Sequence, residues 1–405
     1  MGMKLSEELL WRGFHAETSI KEPADLDTRP SKKFYFGADP SADSLTIGNL
    51  AALMMCACFV RHGYQPYLLA GGATGQIGDP KENGERDLKS LDEVEHNKSC
   101  IAKQMQQVIR TDDLVMVDNY DWFKNMNYLS FLREVGKSFS MTQLLDRQFV
   151  QNRIGEGGSG ISYAEFSYTL IQGYDFLHLY RTYGIDLQLC GADQFGNCTT
   201  GIHLIKRLEN ATADAWSTPL VIDPVTGRKF GKSEGNAIWL DAKKTSIFDF
   251  YQFWLNQPDE SVEYLIKIYT LLDKENIDQL MLEQKEHPER RAAQKALALG
   301  ATEVVHGKDN ALAIANLTER LFGGSLTDLA EDEIAEFGAF LACSKKGVML
   351  FDALVETGLT SSKSEARKLA AAGAITINGE KVTADTQINQ VALLKRGKNK
   401  FSVVK

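Results

Sequence analysis

The chain of 405 residues is long enough for two or three domains with at least one large core. Its 43% apolar and 24% charged residues are ordinary for a globular protein, and a net charge of −9 excludes wholesale coating by nucleic acid, so any RNA contact must be a local basic patch. Acids interrupt the opening MGMKLSEELLWRGF where a signal peptide needs an apolar stretch, and no apolar run reaches ~18 residues, so no membrane contact is expected.

In chain order, KFYFG (33–37) reads as a short buried strand turned by Asp39-Pro40, and residues 46–61 have the length of a helix. PYLLAGGATG (66–75) is a second strand that runs into a glycine-rich loop, which completes a βαβ unit. The buried runs LVMVDN (114–119), DLQLCG (186–191) and PLVID (219–223) extend it, so the fold class is α/β with an open, mostly parallel sheet and helices on both faces. Ligands of such a sheet sit at the carboxyl ends of its strands. From about 243 apolar residues recur at helical spacing, giving a helical domain over 243–341 after a first domain of 1–242. ACSKKGV (342–348) reads as a polar linker into a compact α+β tail, 342–405, with two helices and a hairpin at Asn378-Gly379. The six cysteines (Cys56, Cys58, Cys100, Cys190, Cys198, Cys343) form no CxxC pair and have no histidine at zinc spacing; free thiols suit a reducing cytoplasm, with no protein-bound metal. Cys56 and Cys58 fall in an apolar helical run and read as core packing.

Four stretches carry candidate chemistry. In GADPSADSLTIGNLAALMM (37–55), Gly37 and Gly48 permit close backbone approach, and the helix N-terminus offers free N–H groups to phosphate. Alone, it is equally any strand–turn–helix corner. GGATGQIGDP (71–80) has little side-chain bulk and lines a pocket, or else is a plain turn. GRKFGKSEGNAIWLD (227–241) sets Lys229 and Lys232 around Phe230-Gly231, a cationic loop able to meet a triphosphate as pyrophosphate leaves. Its three glycines favour that reading over a solvated turn. The fourth is YTLIQGYD (168–175) with GADQFGN (191–197), in which Tyr168, Gln172 and Asp175 share one helix face at i, i+4 and i+7. Such a polar stripe, if buried, needs polar partners or a polar ligand.

Together, and in this order, the four stretches resemble the bacterial tyrosyl-tRNA synthetases, class I aminoacyl-tRNA synthetases, from WRGF near the start to the last residue. SADSLTIGNL occupies the family's first signature, usually His-Ile-Gly-His, and KFGKS the second. The tail SSKSEARKLAAAGAITINGEKV is similar to an S4 RNA-binding domain. The resemblance implies a Rossmann-like catalytic domain at 1–242, an anticodon-side helical domain at 243–341 and an S4-like domain at 342–405. It also implies a homodimer built around an insertion near 125–165, Mg-ATP and L-tyrosine as substrates, and tRNA(Tyr) as partner.

By the same resemblance Tyr35 and Asp175 meet the phenolic hydroxyl of tyrosine, and Tyr168, Asp79 and Gln172 hold its ammonium with Gln194 nearby. Gly37, Asp39, Ser41, Gly48, Gly191 and Asp193 line the ATP site, where Asp39, Gly191 and Asp193 face the adenosine and ribose. Lys229, Lys232 and Ser233 form the mobile loop on the phosphates, and Arg86 adds a pyrophosphate contact. Thr46 and Asn49 stand at the signature histidines, each keeping one donor for phosphate. Phe36, Phe195 and Asn83 also depart from the family's usual residues. Lys363, Arg367, Lys368, Lys395, Arg396, Lys398 and Lys400 make the tail basic and suit RNA. The expected reaction is attack of tyrosine's carboxylate on the α-phosphorus of ATP, then transfer of the tyrosyl group to the tRNA 3′ end. The alternative is a catalytically weakened paralogue that acts as an RNA-binding or regulatory protein.

Overall fold

The computed structural model describes residues 2–80, 88–145, 148–155, 157–222, 227, 230, 232–233 and 236–405; at 143, 148–149, 232–233 and 236 it describes the backbone alone. The chain divides into two compact units, 1–241 with 258–293, and 242–257 with 294–405.

Five parallel strands carry the first unit: β1 (Lys33–Ala38), β2 (Gln65–Ala70), β3 (Val115–Val117), β4 (Leu187–Gly191) and β5 (Asp214–Thr218). Their order is β3-β2-β1-β4-β5. Phe34, Tyr35 and Phe36 are all buried, as expected of a strand covered on both faces. Register sets Tyr35 between Tyr67 of β2 and Gln188 of β4. The direction of strand order reverses between β1 and β4, and there the loops leaving the carboxyl ends diverge and open a crevice.

The fifth strand corrects the expectation of PLVID. It lies just before that run, at 214–218, where Trp216 is wholly buried and its Nε1 donates to Phe14 O at 2.6 Å. Pro219 has no N–H for a ladder, and Leu220 and Ile222 are each 40% exposed, so the apolar run does not mark burial.

Helix α1 (Ile47–Arg61) follows β1 and is apolar all round, with eleven of its fifteen residues buried. Cys56 and Cys58 are packing groups here, and burial pushes the Cys58 thiol up to about 12. Helices α2 (Leu91–Val108), α3 (Tyr163–Tyr183) and α4 (Phe195–Glu209) follow. Leu170, Phe176 and Leu177 of α3 and Leu204 of α4 share a core with Tyr35 and Leu69. Two glycines let α3 and α4 approach: a Cβ at Gly201 would lie 2.7 Å from Phe176 Cβ, and one at Gly173 2.7 Å from Thr200 Cγ2. That crossing sets where the polar face of α3 stands.

Helices Asp259–Tyr269 and Lys274–Glu286 group with the sheet, although the texture of the sequence changes before them. Arg12, buried in the N-terminal helix Leu5–Arg12, explains the attachment. Its guanidinium donates to the carbonyls of Lys267, Thr270 and Leu272 at 2.7, 3.0 and 2.6 Å, satisfying the open end of helix 259–269. A two-stranded ribbon, β6 (Lys232–Ser233) with β7 (Asn236–Ala237), also belongs to this unit.

In the second unit, helices Ile247–Leu255, Ala292–His306, Lys308–Gly323 and Glu331–Phe337 precede a small mixed sheet. Its strands are β8 (Cys343–Ser344), β10 (Ile375–Ile377), β11 (Glu380–Lys381), β13 (Ala392–Arg396) and β14 (Lys400–Val404), while β9 (Val348–Met349) pairs with β12 (Gln387–Ile388). The expected linker ACSKKGV therefore begins this sheet, since β8 pairs in parallel with β14. Its side chains are polar, but edge pairing uses only its backbone. Asn378 and Gly379, at φ 49° and 86°, form the two-residue turn between β10 and β11. No helix among the described residues is long and apolar enough to cross a membrane.

The glycine crossing is testable. Gly201→Ala forces a methyl against Phe176 and is expected to cost about 1–3 kcal/mol of stability, read as a lower thermal midpoint. Gly196→Ala, with no atom within 4 Å of the added Cβ, is expected to stay near wild type.

Candidate active site

A cleft of about 410 Å³ lies at the carboxyl ends of β1 and β4. Tyr35, Gly37, Asp39 and Ser41 enter it from β1 and its following loop, and Thr46, Gly48 and Asn49 from the start of α1. Asp79, Gly191, Asp193 and Gln194 come from the loops after β2 and β4, and Tyr168, Gln172 and Asp175 from α3. Of the remaining expected residues, Arg86 and Lys229 lie outside the described residues, as does Asn83. Lys232 and Ser233 are described by backbone alone, in β6.

One part of the cleft is a set of oriented acceptors. Tyr168 gives its proton to Asp39 Oδ2 at 2.7 Å, so its oxygen can offer a lone pair. Asn197 donates to Gln172 Oε1 at 2.9 Å and to Gln194 Oε1 at 3.0 Å, which fixes both amides with their oxygens toward Asn197. Gln194 Nε2 in turn donates to Asp79 Oδ2 at 2.9 Å. Tyr168 O, Gln172 O and the Asp79 carboxylate together suit a group with three N–H donors and a positive charge. Asp39 is tied inward as well, accepting from Thr74 Oγ1 at 2.6 Å. A Cβ at Gly71 would lie 2.2 Å from Thr74 Oγ1 and 2.4 Å from Asp39 Oδ1, so only glycine lets this contact form.

Two helical turns along α3, roughly 10 Å at 1.5 Å per residue, stands Asp175. Asn119 Nδ2 donates to its Oδ2 at 3.1 Å and Trp122 Nε1 to its Oδ1 at 2.9 Å. Asn119 is itself held by Ala73 N at 2.7 Å and reaches Thr74 Oγ1 at 3.0 Å. Burial pushes the Asp175 pKa well above its ordinary value; the Asn119 and Trp122 donors pull it back, while Asp39 and Asp118 add to the rise. The folded state therefore holds that proton more tightly than the unfolded one, and this group costs stability as pH rises above about 4. Tyr35 is 1% exposed, and its hydroxyl makes no hydrogen bond of normal geometry. Burial, with Asp175 among the nearby groups, raises its pKa too, so it remains a protonated donor. The Gln188 side chain is the one hydrogen-bonding neighbour that bears on this hydroxyl, and a buried hydroxyl without a well-formed hydrogen bond near a buried carboxylate is costly unless a ligand supplies the missing group.

Thr46 and Asn49 differ from expectation in how they use their donors. Thr46 N and Oγ1 both bond Asn49 Oδ1, at 3.0 and 2.9 Å, so the threonine hydroxyl closes the first turn of α1 instead of facing phosphate. Asn49, exposed in the cleft, keeps its amide hydrogens. The chain after β7 is stitched to the same helix start: Ile47 N donates to Ile238 O at 3.1 Å and Leu240 N to Leu45 O at 2.9 Å. Phe230 and Ala237 both line the cleft.

Thr74, Asn119, Trp122, Gln188 and Asn197 escaped the sequence reading. Asn119 carried a signal, as a polar residue closing the buried run LVMVDN; the others did not. In the tail, two expected RNA contacts are engaged elsewhere. Arg396 bonds Leu359 O and pairs with Glu365, and Lys363 pairs with Asp352. Lys395 lies over the Phe401 ring, and Arg367, Lys368, Lys398 and Lys400 are exposed.

Comparison with known proteins agrees with this geometry. The family model for class I tRNA synthetases (W and Y) matches residues 28–323, and that for the tyrosine–tRNA ligase SYY-like C-terminal domain matches 337–405. The tyrosine–tRNA ligase of Citrobacter koseri is 39% identical over 99% of this chain and 97% of its own. That of Escherichia coli (strain 55989 / EAEC) is 40% identical over 99% and 98%. A C-terminally truncated mitochondrial tyrosyl-tRNA synthetase from Aspergillus nidulans aligns with a TM-score of 0.70 at 28% identity, covering 79% of this chain and 94% of that one. The chain belongs to the class I tRNA synthetases of the tryptophan and tyrosine branch. Within it, the enzyme is a tyrosine–tRNA ligase of bacterial type, which activates tyrosine with ATP and passes the tyrosyl group to tRNA. Nothing in these likenesses supports the non-catalytic alternative.

Because the Thr46 hydroxyl is committed to Asn49, Thr46→His adds one phosphate donor and removes one helix cap. The expected change in kcat is no more than about tenfold, about 1.4 kcal/mol of barrier. Single-turnover formation of tyrosyl-adenylate checks it; a much larger gain would mean that the natural residue had nearly silenced the site.

Proposed function

We propose that the cleft reads tyrosine at both ends. The observation that carries this is the buried Tyr35 hydroxyl, which makes no hydrogen bond of normal geometry, near the buried Asp175. A phenolic hydroxyl between them would donate to Asp175 and accept from Tyr35, whereas phenylalanine would leave both polar groups buried and unpaired. Tyr168, Gln172 and Asp79 take the ammonium group. The substrate carboxylate is thereby directed toward the start of α1, where backbone N–H groups and Asn49 receive the ATP phosphates. Gly191 and Asp193 take the adenosine side, with Asp39 holding Tyr168 in place. Lys232, Lys229, Ser233 and Arg86 neutralise charge on the departing pyrophosphate.

Magnesium arrives with ATP as substrate; among the described residues no cluster of His, Cys, Asp or Glu is arranged to hold a metal. The active form is a homodimer through the region near 125–165, supported by its exposed apolar side chains: Tyr128 60%, Leu129 74%, Met141 59% and Tyr163 61%. The reaction takes place in the cytoplasm, away from membranes. The tail, 342–405, takes tRNA(Tyr); it carries eleven basic and five acidic residues, a net +6, against −15 for the other 341 residues. Within it the exposed Arg367, Lys368 and Lys398 make the phosphate contacts, and Arg396 holds helix Lys363–Ala371 to the sheet.

Tyr35→Phe is expected to narrow the Tyr/Phe ratio of kcat/KM, and Asp175→Ala to abolish tyrosine activation, both measured by ATP–pyrophosphate exchange. A Tyr35→Phe enzyme that kept the full wild-type ratio would remove Tyr35 from this role. The double variant Arg367→Glu, Lys368→Glu is expected to weaken tRNA binding and to lower its salt slope by up to about 2, while tyrosine activation stays intact. Filter binding across a salt series, alongside pyrophosphate exchange, decides it; unchanged tRNA affinity would move the contact elsewhere.

A further inference from the structure

The two donors on Asp175 are held very differently. Asn119 is locked by the Ala73 backbone and by Thr74. Trp122 reaches in from the short helix Tyr120–Phe123, and its indole needs a surface to fix the plane of its N–H. His178, three residues after Asp175 on α3, supplies one: the two rings stack with centroids 4.4 Å apart and planes at 20°. Thr182 Oγ1 lies 3.4 Å from His178 Nε2 and orients the imidazole on its own helix. Burial, helped by the charge of Arg181, lowers the His178 pKa, so a neutral ring makes the stack. Trp122 and His178 also border a second cleft of about 520 Å³, shared with Lys98, Asp118 and Tyr183, so the imidazole covers the indole where solvent can reach it.

We propose that His178 is a positioning residue for substrate selection: its stack on Trp122 fixes the indole N–H that orients the Asp175 carboxylate toward the phenolic hydroxyl of tyrosine. The inference rests on Asp175 reading that hydroxyl, and it reaches a residue that touches neither substrate nor Asp175 in the contacts described above.

The test is ATP–pyrophosphate exchange by the full-length enzyme with tyrosine and with phenylalanine. His178→Ala is expected to lower the Tyr/Phe ratio of kcat/KM by about 3- to 10-fold, the scale of a lost aromatic pair, mainly through KM for tyrosine. His178→Phe, which can still stack, is expected to retain the ratio. In a Trp122→Phe background the indole donor is already gone, so His178→Ala is expected to change the ratio by less than about twofold. An equal loss in both backgrounds would show that His178 does not act through Trp122 and would overturn the proposal. So would a His178→Ala enzyme with a lower thermal midpoint and a wild-type ratio, the mark of a merely structural role. Asp175→Asn separates the two levels. If it loses the tyrosine preference while His178→Ala matches wild type, only the role of His178 falls; if it keeps the preference, the reading of Asp175 falls and takes this inference with it.

Discussion

The hydrogen-bonded run from Tyr168 through Asp39, Thr74 and Asn119 to Asp175 joins the loops after β1, β2 and β3 to one face of α3. Each member is buried or nearly so, and each would cost about 1–3 kcal/mol if left unpaired. The loops therefore cannot settle independently: either all of them close together or several polar groups are stranded. Closure leaves one end of the cleft rich in acceptors and the other with a carboxylate near a buried hydroxyl that lacks a well-formed hydrogen bond. Gly71 is part of the same constraint, because any side chain there would occupy the space of the Thr74–Asp39 contact.

Sheet topology decides where this network can stand. Strand order turns between β1 and β4, so α1 leaves on one side of the crevice and the loop carrying Asp193 and Gln194 on the other. Helix α1 brings its N-terminus to the cleft with its first turn closed by the Thr46–Asn49 pair. With Thr46 and Asn49 at the signature, the helix start presents backbone N–H groups and one amide to the cleft, and the segment after β7 is pinned beside that turn. Substitution at the signature thus leaves the architecture of this corner in place.

Charge is divided between the parts of the chain with equal economy. The acidic bulk of the chain places two carboxylates, Asp79 and Asp175, in the cleft. The basic tail leaves Arg367, Lys368, Lys398 and Lys400 exposed, while its less exposed arginine, Arg396, holds two elements together. Residue type alone does not separate these uses; exposure and partner do.

Local order was legible in the sequence. The buried run 33–37, the apolar helix after it, the Asn378-Gly379 turn and the shared face of Tyr168, Gln172 and Asp175 all follow from side-chain periodicity and backbone preference, which act over a few residues. The four ordered motifs also carried the family. What tertiary structure alone decided were relations between distant segments. That β5 is DAWST and not PLVID depends on Trp216 reaching Phe14, 202 residues away. That helices 259–286 stand with the sheet depends on Arg12 meeting carbonyls some 255 to 260 residues along. Asn119, Trp122 and Thr74 became site residues only when parallel pairing brought three loops to one rim. Periodicity cannot report this, because the partner of a buried polar group is chosen by closure of the sheet and not by its neighbours in the chain.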